Sequence, residues 1–285
     1  MSKITYSSDA ERFNKRHLLP WSILQDLLRH RSLIFSVTER DFRAAYQASY
    51  LGVTWQIILP LIMLSIFYLV FGRILGGRFS NNASESPMQY ALALFVGLGF
   101  FNFMSQTINT ATSLITSNVT YVKSLAFPLE ILSVTAVLNA LLALAITLVV
   151  ATVVFLGGNG FIYGSAICTI FYFVCAFLMA LGVSWGLSAL AVFIRDVSAV
   201  TTPMTLILMF MCPIFYPASM VPEKIKWIIR VNPLAVIIED ARGSLLYGVW
   251  PNDLSMAVIL FVSLATAVLG YFFFMRSKSA FADVM

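Results

Sequence analysis

The sequence predicts an all-α polytopic membrane protein, and three observations carry that reading. Of the 285 residues, 60% are hydrophobic and only 11% charged, against about 25% charged in a soluble domain. Six apolar stretches match or approach the roughly 20 residues that a helix needs to cross hydrocarbon. The middles of these stretches hold no Asp, Glu, Lys, Arg or His. Such segments are helical because only a helix satisfies every backbone polar group within one pass through lipid.

The chain divides near residue 52. Residues 1–52 are polar and mixed in charge, and residues 53–285 hold the spans, at about 53–75, 90–115, 131–156, 162–194, 197–216 and 254–275. The first apolar run is too long for a signal-peptide core, so no cleavable signal is expected. With six crossings both termini share a side. Twelve of the 18 lysines and arginines then fall on that side, which places the termini in the cytoplasm. The net charge of +5 follows from this topology without invoking nucleic acid. Cys168, Cys175 and Cys212 lie within spans and read as small apolar side chains. His17 and His30 lack partners at metal-ligand spacing, so no metal site is expected.

Before the first span, residues 22–46 read as one amphipathic helix. Ser22 and Gln25 form a capping-box pattern, and Leu24, Leu27, Leu28, Ile34, Phe35, Phe42 and Tyr46 recur at three-to-four spacing. Arg29, Arg31, Glu39 and Arg43 fall on the other face. Such a helix lies in the membrane interface; packing on a cytoplasmic domain is the alternative. In the second span, Asn102, Ser105, Gln106, Asn109, Thr112, Ser113 and Thr116 make a polar stripe at helical spacing. It must face other helices or a water-filled path, and both remain open. Gly182 and Gly186 form a GxxxG pair in the fourth span, a mark of close helix packing. That span has 33 uncharged residues and is expected to tilt or project before Arg195-Asp196.

Residues 217–253 form an external loop of an odd kind. Residues 227–231 and 234–238 are apolar but too short to cross, and prolines at 217, 222, 233 and 251 punctuate them. The pattern suggests short re-entrant helices between spans five and six, with surface-lying amphipathic helices as the alternative.

Several absences restrict the function. There is no GxxxxGK[ST] phosphate loop, and no Ser/His/Asp or metal-ligand set, so no catalytic residue is assigned. Ion-coupled transporters carry ionisable relays at mid-depth, and these spans have none. A transporter built this way must draw on a partner ATPase; without any energy source it would be a channel.

The residues also resemble a known family. Arg40, Asp41, Arg43, Tyr46, Leu51, Gly52, Trp55, Leu59 and Pro60 match the entry to the first span in type-2 ATP-binding-cassette permeases of the polysaccharide-export branch. The resemblance continues in order through Asn118, Lys123, Phe127-Pro128, Arg195-Asp196, residues 213–222, Asn232-Pro233-Leu234 and Arg242. The closing FADVM resembles O-antigen exporters. Cys212 stands where the family usually has serine, and residues 1–24 have no counterpart.

The resemblance implies a bacterial inner-membrane half-transporter that homodimerises and binds two copies of a separate nucleotide-binding subunit. ATP and magnesium would sit on that partner, with no cofactor in this chain. The cargo would be a polysaccharide on a polyprenyl-diphosphate carrier, exported to the periplasm. Within it the nearly chargeless turn 118–130 would dock on the ATPase through Tyr121, Lys123, Leu125, Phe127, Pro128 and Glu130. Interface cores have this character; a plain membrane turn with interfacial aromatics is the alternative. Arg195 and Asp196 would cross-link the intracellular ends, pairing with Asp41 and Arg40. Arg40 and Arg43 would recruit the lipid diphosphate or simply anchor the helix. Asn102, Gln106, Asn109, Phe67, Phe71, Phe100, Phe103, Phe215 and Tyr216 are candidates to line the channel. Pro217, Pro222, Trp227, Asn232, Pro233 and Arg242 would form a periplasmic gate. Other readings are the same architecture exporting capsule, teichoic acid or another lipid-like cargo, and a membrane enzyme acting on polyprenyl-linked glycans through carboxylates of the external loop.

Overall fold

The computed structural model describes residues 20–46, 50–77, 79, 85–122 and 127–281, and its described residues contain helices and no strand. Five helical segments are long and apolar enough to cross a membrane: Gly52–Ile74, Pro87–Leu114, Glu130–Asn159, Gly164–Phe193 and Asp253–Ala280. A shorter apolar helix spans Val197–Met211. The chain is thus a multi-pass membrane protein.

Helices α1 (Pro20–Arg29) and α2 (Arg31–Tyr46) replace the single helix expected over 22–46. The break falls at His30, and α1 begins at Pro20, so Ser22 lies inside the helix rather than capping it. α1 packs on the last long helix and α2 on the third. The first crossing segment joins α3 (Trp55–Phe67), which contains Pro60, to a π-helical end, Tyr68–Ile74. Next comes α4 (Pro87–Leu114), started by Pro87 and by the Ser86 Oγ that accepts the Gln89 N–H at 3.1 Å. After the short α5 (Val119–Val122), α6 (Glu130–Asn159) ends where Gly160 turns left-handed at φ 75°.

The fourth apolar run is not helical from its first residue. Residues 161–163 run without helical structure, Gly164–Ala166 make a 3-10 turn, and α7 covers Ile167–Phe193. Nor does the fifth run stay helical to 216. α8 (Val197–Met211) stops because Pro213 forces Cys212 into an extended conformation, φ −97° and ψ 140°. The chain then continues as irregular, buried backbone through Cys212, Pro213 and Ile214. Within residues 217–253, α9 covers Lys226–Val231 and α10 covers Pro233–Leu246, capped by Asn232 Oδ1 on the Leu234 N–H at 3.1 Å. α10 packs against α4 and α7, with Leu234, Ile237, Ile238, Leu245 and Leu246 buried. α11 (Asp253–Ser277) closes the bundle.

The tightest crossing joins α7 to α11. A Cβ on Gly182 would meet the Thr266 carbonyl oxygen at 2.1 Å, and one on Gly270 would meet the Gly182 carbonyl oxygen at 2.0 Å. Gly186 faces open space. The GxxxG pair therefore contributes one close approach, completed by Gly270 on the other helix. The core runs along α4, α6, α7, α10 and α11, with Trp185, Tyr172, Phe100, Phe103 and Phe155 fully enclosed.

Candidate functional site

Helix ends gather four groups of polar residues, each built from different elements. At one end, here the turn end, α5 and the start of α6 bracket the loop expected to dock a partner. Lys123 and Leu125 lie outside the described residues. Tyr121 and Phe127 stack at 4.4 Å between ring centroids, so the two sides of the loop are held together by an aromatic pair. The Arg40 Nη1 donates to the Tyr121 hydroxyl at 2.9 Å, while its Nη2 reaches Asp41 Oδ1 at 2.8 Å. Those partners hold the guanidinium in its charged form, and its pKa is raised. Arg43 is bound to Glu39 one turn back in α2.

Glu130 sits deeper. Its side chain is 9% exposed, and its Oε2 lies 2.8 Å from Lys278 Nζ, just past α11. Its backbone carbonyl accepts the Trp185 Nε1–H of α7 at 3.0 Å. Pro128 is half-buried beside it. Three long helices thus meet at the first residue of α6.

Arg195 and Asp196 are exposed, and Asp41 is engaged by Arg40. The four-residue cross-link expected between the two pairs is not formed within this chain. Arg195 instead lines a cavity of about 670 Å³ with Ser198 of α8 and with Thr112, Ser113 and Thr116 on and just beyond α4.

The polar stripe of α4 leads away from that cavity. Asn102, Gln106 and Asn109 are exposed, whereas Phe100, Phe103 and Thr107 on the opposite face are buried. The Asn109 amide donates to the Ser105 carbonyl of its own helix at 2.8 Å, not across to a neighbour. Phe100 and Phe103 are 0% and 2% exposed, which corrects their expected place in a channel. The 3.6-residue period puts the aromatic positions into the core of the bundle and the amides outside it. Phe67, Phe71 and Phe215 are half-buried; Phe67 meets Phe71 edge to face, and Phe71 and Phe215 lie at a tilt with centroids 6.2 Å apart. Tyr216 donates to the Phe210 carbonyl at 2.7 Å.

The opposite, loop end is organised around Arg242. This residue is 4% exposed, donates to the Pro213 carbonyl at 2.9 Å and lies 3.9 Å from the centre of the Phe79 ring. Burial pushes its pKa down, opposed by Tyr247, Glu239 and Glu85. The Tyr247 hydroxyl donates to Glu85 Oε1 at 2.6 Å, and Gln89 Nε2 donates to the Leu246 carbonyl at 2.7 Å. Glu239 is pushed up by burial, with Arg242 opposing. Arg242, Glu239, Asp240, Pro217 and Tyr247 border a cavity of about 470 Å³. Asn232 and Pro233 start α10. Pro222 and Trp227 are exposed and do not border that cavity.

Sequence reasoning missed Lys278, Trp185, Glu85 and Tyr247. Lys278 had a signal as one cation among those flanking the last span, but its partner is 148 residues earlier. The others are a lone indole, a loop carboxylate and a tyrosine, whose roles arise only from packing.

A helical bundle that crosses a membrane several times, with a polar face open along one long helix and a polar cluster at each end, defines a membrane transport protein. The ABC-2 type transporter family matches residues 32–246, and the chain belongs to that family. Two proteins from Klebsiella pneumoniae, each named O-antigen export system permease protein RfbA, are similar to it. One is 29% identical over 261 residues, covering 89% of this chain and 95% of the relative; the other is 28% identical over 260 residues with the same coverage. A protein of that name from Myxococcus xanthus is 20% identical over 228 residues, covering 78% and 83%.

Proposed function

We propose that this chain is the permease subunit of an ATP-driven exporter that moves polyprenyl-diphosphate-linked O-antigen from the cytoplasm to the periplasm. The observation that carries the reading is the amide face of α4. Asn102, Gln106 and Asn109 stand exposed along an apolar helix whose other face is buried. Polar side chains at membrane depth are costly unless they face protein or water. A second copy of this chain, related by a two-fold axis, would cover that face and enclose a path between the two bundles. The relatives' names and their coverage support the cargo.

The spans hold no Asp, Glu, Lys, Arg or His at mid-depth, which supports an ATPase as the energy source. Two copies of a nucleotide-binding subunit would dock on the Tyr121–Phe127 turn. α8 joins the turn end, at Arg195, to the loop end, at Pro213, and so supplies a sixth crossing completed by irregular backbone. Both termini then lie in the cytoplasm of an inner-membrane protein, and α10 with Arg242 stands at the periplasmic exit. The cavity at Arg195 lies at the cytoplasmic foot of the amide face, where a diphosphate headgroup would enter. Arg40 and Arg43 are engaged by Asp41 and Glu39 and fit the role of anchoring α2.

The test is reconstitution of the chain with its ATPase in vesicles carrying lipid-linked glycan. Glycan should cross on addition of ATP and stop when the ATPase is omitted. Movement on a proton or sodium gradient without the ATPase overturns the reading.

A further inference from the structure

We infer that Lys278 is a positioning residue for transport: with Glu130 it forms a latch that carries displacement of the docking turn into the last membrane helix. The inference rests on the function proposed above and adds the element that receives the stroke.

The geometry comes from five contacts. Glu130 is the first residue of α6, immediately after the turn, and is almost wholly buried. Lys278 follows the last residue of α11 and is 26% exposed in its side chain, at 2.8 Å from the carboxylate. Trp185 donates to the Glu130 carbonyl from α7, and its ring meets Tyr271 of α11 edge-on at 5.0 Å between centroids. Beyond the latch, Phe281 packs fully buried against Phe274 and Phe193, fixing the segment that holds Lys278 to α11 and α7.

Two features separate this pair from the other ion pairs among the described residues. It joins residues 148 apart in sequence, whereas Arg40–Asp41, Arg43–Glu39 and Lys226–Glu223 are local. It is also the most enclosed. A local exposed pair contributes little and transmits nothing, but removing one partner of a buried pair leaves a charge without compensation, so such a pair resists separation. The turn contacts α2 through an exposed hydrogen bond from Arg40. It contacts the end of α11 through a charge pair whose carboxylate is almost wholly buried. A push on the turn is therefore passed on at Glu130, where α6, α7 and α11 are held as one body and can move as a rigid unit.

The test uses the full permease in complex with its ATPase, and reads glycan exported per ATP hydrolysed. Lys278→Met should lower that ratio by about tenfold, the span of an ordinary coupling between sites, while ATP turnover stays within twofold of the parent complex. Lys278→Arg should restore it. Should Lys278→Met fail to fold, Lys278→Gln decides, since it keeps a hydrogen-bond donor opposite the buried carboxylate while removing the charge, and should show the same uncoupling. An unchanged ratio in either variant overturns the latch. Equal loss of ATP turnover and export also overturns it, because the pair would then hold the ATPase in place rather than transmit its motion. A parent complex that exports nothing with ATP counts against the proposed function, not against the latch.

Discussion

The first and second crossing segments differ in a way that composition hides. Gly52–Ile74 is the more hydrophobic, yet only 11% of its most apolar window is buried inside the protein; for Pro87–Leu114 the share is 72%. In water the oilier helix would be the core. In a membrane the lipid is as apolar as leucine, so hydrophobicity no longer drives a helix inward. What draws α4 into the centre is shape and polarity. Gly97 and Gly99 admit Ile238, Ile214 and Thr147 at close range, and Gln89 hydrogen-bonds to α10. The first segment, with Ile57, Leu59, Leu61 and Ile62 exposed, is left for lipid or for a second protomer.

That contrast can be broken or sharpened by substitution. The largest effect is expected at Phe103 on the buried face of α4, where Phe103→Ala should cost about 3–5 kcal/mol and lower the melting temperature of the purified protein sharply. An effect below 1 kcal/mol would mean that α4 is not the centre of the protomer. Next comes the opposite face. Gln106→Leu and Asn109→Leu should leave the melting temperature within a few degrees of the parent while export in the reconstituted complex falls severalfold. Full export by both variants removes the amide face from the transport path. On the first segment, Ile57→Ala should cost less than about 1 kcal/mol in a dilute protomer, measured by thermal unfolding in detergent. A cost equal to that of Phe103→Ala would place the segment inside the bundle. The smallest effect belongs to Arg43→Lys, which keeps the charge opposite Glu39 one turn away. It should change unfolding by no more than about 0.5 kcal/mol and leave export intact. A large export defect would instead return Arg43 to a role in recognising phosphate through its planar fork.

Much of this was legible along the chain. Hydropathy located the five long helices to within a few residues at most ends, since crossing hydrocarbon imposes a length and forbids charge. The turn around Tyr121 and Phe127 and the break at Arg195-Asp196 were visible as local signals, whereas the cap at Asn232 was not read from the sequence. The fifth span failed at its far end because Pro213 ends α8 while the residues around it remain apolar. Composition cannot distinguish a buried extended segment from more helix. Phe100 and Phe103 were misplaced for a related reason: aromatics and amides alternate along α4, and only the neighbours reveal which face looks inward.

Sequence alone determined that this is an all-helical membrane protein, roughly where its helices begin and end, and that its spans carry no ionisable relay at mid-depth. Those properties follow from local rules of backbone satisfaction and desolvation, which each segment obeys by itself. Tertiary structure decided the rest: that Gly182 meets Gly270, that Arg242 is buried under Phe79, and that Glu130 finds Lys278. Each joins residues more than eighty positions apart or encloses a charge among several helices. Contacts of that kind depend on helix crossing geometry and close packing, which no single segment encodes.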